Sequence, residues 1–182
     1  MVWISAGAGL SFGLALGLLT AFFVTREERY DRVAEWAFVV FAVLAVPTIL
    51  AVGNHLPPGI VTSVATALGV IGVVAIGLGE IGTALRLVDF RRIANFVALG
   101  FFGFLVWIGL VSLLVVSAGG LPSPLGWFGV VVIAAGLVIT ALVVRTPGVM
   151  TGEHEPPVGQ MAAFLAPVLG IVAWLMWLGF SL

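Results

Sequence analysis

Residues 5–21 read SAGAGLSFGLALGLLTA, and two incompatible folds compete for them. Gly9-Leu10-Ser11-Phe12-Gly13 matches G-x-S-x-G, the pattern of a nucleophile elbow. That elbow requires a strand, a strained turn and then a helix, so that the serine is thrust clear of a sheet. Only eight residues precede Gly9, and they are as apolar as those that follow. Read at helical spacing, the stretch shows a different order. Ser5, Gly9, Gly13, Gly17 and Ala21 fall four apart and form one small-residue ridge, the packing mode of helices that touch inside a bilayer. Ser11 lies off that ridge. The stretch is therefore a membrane helix and Ser11 is not a nucleophile.

The rest of the chain agrees. Of 182 residues, 62% are hydrophobic and 8% charged, with a mean hydropathy of +1.30. Soluble domains average about 45–50% apolar and about 25% charged. Six apolar segments can be drawn at roughly 2–24, 36–52, 60–79, 93–117, 126–144 and 159–180. Each approaches the ~20 residues that cross a hydrocarbon core of about 30 Å. The expected fold is all-α: a polytopic integral membrane protein, one transmembrane domain over residues 1–182, built as a six-helix bundle. There is no cysteine, which removes thiol catalysis, disulfides and thiolate metal sites. There is no lysine either, so Schiff-base chemistry has no amine. Basic patches, phosphate loops and dinucleotide motifs are absent, and neither nucleic acid nor a cofactor is expected.

Charge placement orients the bundle. The connections GNHLPPG (53–59) and AGGLPSPLG (118–126) carry no formal charge and are dense in turn residues. The other three, TREERYDRVAE (25–35), EIGTALRLVDFRR (80–92) and RTPGVMTGEHEPPVG (145–159), hold all seven arginines. The positive-inside rule puts those three in the cytoplasm and both termini outside, in a plasma membrane. Trp3, Trp127 and Trp177 then fall near the outer interface and Trp36 near the inner one. Trp107 and Trp174 lie deeper, between helices.

Several short motifs invite chemistry and lose it on inspection. Glu27-Glu28-x-x-x-Arg32 resembles the E-E-x-x-x-R element of intramembrane CAAX-type proteases. That family also needs F-x-x-x-H, and Ala51 stands where the phenylalanine would precede His55. The segment reads instead as a helical extension at the interface, with Glu28 and Arg32 spaced to pair at i, i+4. Glu153-His154-Glu155 precedes Pro156-Pro157 and reads as a solvated loop, so no metal is expected. His55 is the one side chain titrating near neutrality predicted outside. Pro47 and Pro167 fall inside the second and sixth segments, where each deletes a backbone hydrogen bond.

One constellation keeps its interest. Thr62, Thr66, Gly69 and Glu80 share a stripe of the third helix, because Glu80 follows Thr62 by 18 residues, about five turns. Asn95, at the start of the fourth helix, is placed to meet Glu80 across the hairpin. An ionisable group at membrane depth is costly and usually functional. If the helix begins near Ile60, Glu80 instead emerges at the inner interface and pairs with Arg86 or another nearby arginine; if the helix sits shifted outward, Glu80 faces the bundle near a cavity. Two functions follow. In one, the chain is a non-enzymatic permease or channel for an ion or small solute, with this stripe as its path. In the other, it is a structural or accessory subunit whose ridge Ser5, Gly9, Gly13, Gly17 and Ala21 docks on a partner. Lipid is a partner in both, and a homo-oligomer or a membrane partner subunit fits either.

Overall fold

The computed structural model describes residues 1–25, 27–88, 90–144 and 158–182, leaving aside the side chains of 23–24, 90–91, 139–144 and 158–165. Those residues form six helices: α1 (Val2–Thr25), α2 (Glu28–His55), α3 (Ile60–Ala84), α4 (Phe90–Ala118), α5 (Ser123–Val144) and α6 (Val158–Ser181). No strand occurs among them. Helices α1 to α4 are long and apolar enough to cross a membrane, and α5 and α6 are apolar over their described stretches.

α2 begins eight residues before its apolar segment, at Glu28 rather than Trp36. At about 1.5 Å per residue its 28 residues span about 42 Å, more than a hydrocarbon core. Apolar length measures the bilayer and not the helix, because the polar turn Glu28–Glu35 is hydrogen-bonded in the same way. Its expected Glu28–Arg32 ion pair is not among the pairs seen. Arg29 instead pairs with Glu27 and sits over the Tyr30 ring, 4.9 Å from its centre. The charged groups are exposed, and such pairs contribute little in either register.

Each helix packs on the next in sequence, and α6 closes on α1, so the six form a ring. Short turns make α1 to α5 successively antiparallel. An aromatic column fills the middle of the ring. Phe12 of α1 stands against Phe41 of α2 and Phe104 of α4, at 4.8 and 5.9 Å between ring centres. Phe104 stacks on Trp107, and Trp107 meets Trp174 of α6 edge-on at 5.7 Å. Phe38 and Phe101 extend the column toward the arginine-bearing end. Edge-to-face pairs of this kind add about 0.5–1.5 kcal/mol each beyond area burial.

Glycines let the ring close tightly. A Cβ on Gly72 of α3 would fall 2.7 Å from the Gly100 carbonyl oxygen and 2.8 Å from the Phe104 nitrogen. A Cβ on Gly100 of α4 would fall 2.8 Å from the Gly72 carbonyl oxygen. Here backbone meets backbone, which only glycine permits. At the end opposite the arginines, the two uncharged turns lie against each other. Gly119 and Gly120 have φ of 80° and 89°, and a Cβ on Gly120 would sit 2.5 Å from the His55 carbonyl oxygen. Leu56 and Leu121 are buried beneath them.

Candidate functional site

Glu80 occupies the last full turn but one of α3, about 30 Å along the helix from Ile60. It is 6% exposed. Among the described residues its carboxyl has neither a hydrogen-bond donor nor a counter-ion, and the charges it feels are those of Glu35 and, more weakly, Asp31 on α2. Asp31 and Glu35 are four apart, hence on one face of α2, and both are half-buried. The Thr83 hydroxyl lies close to the Glu35 carboxyl while donating to the Glu80 main-chain carbonyl at 3.0 Å. Asp31, Glu35 and Glu80 thus lie within electrostatic reach of one another where the start of α2 meets the end of α3.

Arg86 lies within electrostatic reach of Asp31 and Glu35. Its placement follows from how α3 stops. The Arg86 amide donates to the Thr83 carbonyl at 2.8 Å and the Leu87 amide to the Gly82 carbonyl at 2.9 Å, a Schellman cap. The capping residue must adopt a left-handed conformation, and Arg86 does so with φ of 55° where glycine is usual. Side-chain charge has been kept at the expense of backbone comfort.

The remaining predicted path residues are placed differently. Thr62 is buried and donates to the Pro57 carbonyl at 2.7 Å, while Thr66 donates to Thr62 of its own helix at 2.8 Å. Both hydroxyl protons are taken by backbone, which is how such groups are satisfied in an apolar setting. Gly69 holds no open space: a Cβ there would lie 2.7 Å from the Trp107 ring and 3.1 Å from Ile49. Val73 and Ile76, further along, are fully buried. Between Thr66 and Glu80 the stripe is thus packed. Asn95 is exposed on α4. A fourth-helix residue at the turn after Arg92 meets Glu80 only if it faces α3, and Val97 fills that position, against Gly79.

Of the small-residue ridge on α1, three positions face α6 of the same chain. Ser5 Oγ donates to the Leu175 carbonyl at 2.6 Å, and Cβ atoms on Gly9 and Gly13 would fall 3.1 Å from the Val172 carbonyl oxygen and 3.0 Å from its Cγ2. Gly17 has nothing within 4 Å, and Ala21 is half-buried. Ser11 donates to the Gly7 carbonyl of its own turn, 2.7 Å away. His55 is exposed, with Nδ1 2.8 Å from the Ala51 carbonyl oxygen. Glu153, His154 and Glu155 lie outside the described residues; among those described, no three His, Cys, Asp or Glu side chains are arranged to hold a metal ion.

Sequence reasoning singled out Glu80, but not Asp31 and Glu35 within its electrostatic reach, nor Trp107 as the ring that fills the notch at Gly69. The signal for the first two was present. Asp31 and Glu35 are i, i+4 on the helix that must run antiparallel to α3, at the level where Glu80 emerges. Trp107 left a weaker trace, a lone tryptophan at mid-helix opposite a Gly-x-x-Gly (69, 72). No protein-family model, curated protein or solved structure matches the chain.

Proposed function

We propose that this protein is a small non-enzymatic membrane permease whose ion-handling group is Glu80, opening toward the arginine-bearing end of the bundle. The reading places that end in the cytoplasm of a plasma-membrane protein that crosses the bilayer six times. One observation carries it: a carboxyl group buried among apolar helices, with two further carboxyl groups and no donor beside it among the described residues. A charged group with no partner is too costly for a purely structural role, since a well-packed apolar residue would stabilise the same site better. The packed stretch at Gly69, Trp107, Val73 and Ile76 and the abutting outer turns support a state closed on the far side. Alternating access requires such a state.

The test is flux in reconstituted liposomes. Wild type carries ions or protons down an imposed gradient, and Glu80→Gln, which keeps the shape and removes the charge, abolishes the signal. Equal flux in wild type and variant would falsify the assignment of Glu80.

A second reading, a non-transporting scaffold or accessory subunit, draws on the aromatic column, which leaves the ring centre filled. In that reading the surface offered to a partner is the Gly17 and Ala21 end of α1, since Ser5, Gly9 and Gly13 already meet α6. It predicts a stable hetero-complex or homo-oligomer in mild detergent that Gly17→Leu dissociates. A monomer unaffected by that substitution removes it.

A further inference from the structure

The turns at the two ends of the bundle treat leucine in opposite ways. At the uncharged end Leu56 and Leu121 are 5% and 8% exposed. In the α3–α4 turn Leu85 and Leu87 stand out at 52% and 73%, on either side of an exposed Arg86. Their exposure is held by the backbone. The Leu85 amide donates to the Ile81 carbonyl at 3.0 Å, and the Leu87 and Val88 amides both donate to the Gly82 carbonyl, at 2.9 and 3.3 Å. A hydrogen-bonded turn thus presents apolar side chains outward among arginines.

The start of α4 carries the same mixture onward. Arg92, Asn95, Phe96 and Leu99 are all exposed. Their spacing of i, i+3, i+4 and i+7 puts them on one stripe. Val97 and Gly100, which meet α3, lie on another face. Among the described residues neither Arg92 nor Asn95 has a hydrogen bond or an ion pair. The hydroxyls of Thr66 and Thr83, by contrast, donate to carbonyls of their own helix. An amide beside exposed aromatic and aliphatic groups needs an acceptor, because leaving it unpaired at an apolar boundary is costly. This chain does not supply one among its described residues.

What would satisfy the stripe follows from its order. Over about 10 Å of helix it runs cation, amide donor, aromatic ring, aliphatic chain. A phospholipid presents the complement in the same order: phosphate, glycerol ester, acyl chain. A free phosphate offers nothing to Phe96 and Leu99.

We propose that Arg92, Asn95, Phe96 and Leu99 bind one anionic phospholipid in the leaflet at the arginine-bearing end. The Arg92 guanidinium holds the phosphate, the Asn95 amide donates to the glycerol ester, and Phe96 and Leu99 pack on the acyl chain. Leu85 and Leu87 enter the interface alongside and keep Arg86 at headgroup depth, where a second cation favours a headgroup of net negative charge. The site rests on the membrane-spanning reading and is independent of flux.

Native mass spectrometry of the intact protein, released from mild detergent and titrated with phosphatidylglycerol or phosphatidylcholine, counts bound lipid directly. The expected result is a one-lipid adduct that prefers phosphatidylglycerol. Arg92→Gln weakens it about fivefold, the scale for one cation at an anionic membrane surface. Asn95→Leu weakens it too, whereas Arg32→Gln, which removes an exposed arginine of α2, leaves it unchanged. All three side chains are exposed, so the unfolding midpoint of lipid-free protein stays that of wild type. Equal binding of the two lipids, or equal losses in Arg32→Gln and Arg92→Gln, overturns the site. So does competition by glycerol 3-phosphate as effective as by lipid, which marks a free-anion site, or an acidic protein that co-purifies in place of lipid and is lost in Arg92→Gln. Selective lipid binding with no flux in wild type leaves the site standing and removes the permease reading. Flux with no lipid preference does the reverse.

Discussion

Glycines of this chain are not equivalent, and the difference is measurable. At Gly72 an added methyl group would lie under 3 Å from two backbone atoms of α4, which cannot move unless the helices separate. Gly72→Ala is expected to cost about 1–3 kcal/mol, the usual penalty of overpacking. Gly17→Ala meets nothing and should be neutral or stabilising by up to about 1 kcal/mol, through helix propensity alone. Denaturant-induced unfolding in detergent micelles ranks the two, and equal effects would refute the α3–α4 contact. Arg86 is the opposite case. Its left-handed backbone is a strain that glycine does not feel, so Arg86→Gly is expected to raise stability by about 1 kcal/mol. The same variant removes the cation beside Asp31 and Glu35. More stable protein with altered flux would mark Arg86 as a residue kept for function, as strained positions near sites tend to be.

At the scale of the element, the four-residue spacing on α1 identified a contact face but could not name what it contacts. Helical periodicity reports which residues share a side; it carries no information on which of five other helices lies there. The answer is α6, so this face closes the ring. Gly9→Leu would drive a side chain into the Val172 backbone and is expected to lower the unfolding midpoint markedly, while Ser11→Ala, two positions from Gly9 and on the other side of the helix, stays within about 0.5 kcal/mol of wild type. Thermal unfolding of the two variants side by side checks this, and tolerance of Gly9→Leu would mean that α1 and α6 do not meet. Periodicity also placed Thr62, Thr66, Gly69 and Glu80 on one stripe of α3, and α3 is continuous through them. Whether that stripe is open or filled was beyond it. Trp107, from another helix, occupies the notch at Gly69.

For the whole molecule, the proposed orientation is open to a direct check, because the chain has no native cysteine to confuse labelling. Asn54 lies exposed at the uncharged end and Arg86 at the arginine-bearing end. In intact cells Asn54→Cys is expected to react with a membrane-impermeant maleimide, and Arg86→Cys only after permeabilisation. The reverse pattern would invert the protein and place Glu80 near the outer surface. The amino-acid sequence determined by itself the helical class, the approximate segments and the confinement of every arginine to three alternate connections. These follow from composition and from interactions between near neighbours along the chain. Only the tertiary structure decided that the ring closes through α1 and α6, that its centre is filled with aromatic rings, and that Asp31 and Glu35 of α2 come within electrostatic reach of Glu80. Those are contacts between residues distant in sequence, and their geometry depends on how each helix is rotated about its axis, which packing alone sets.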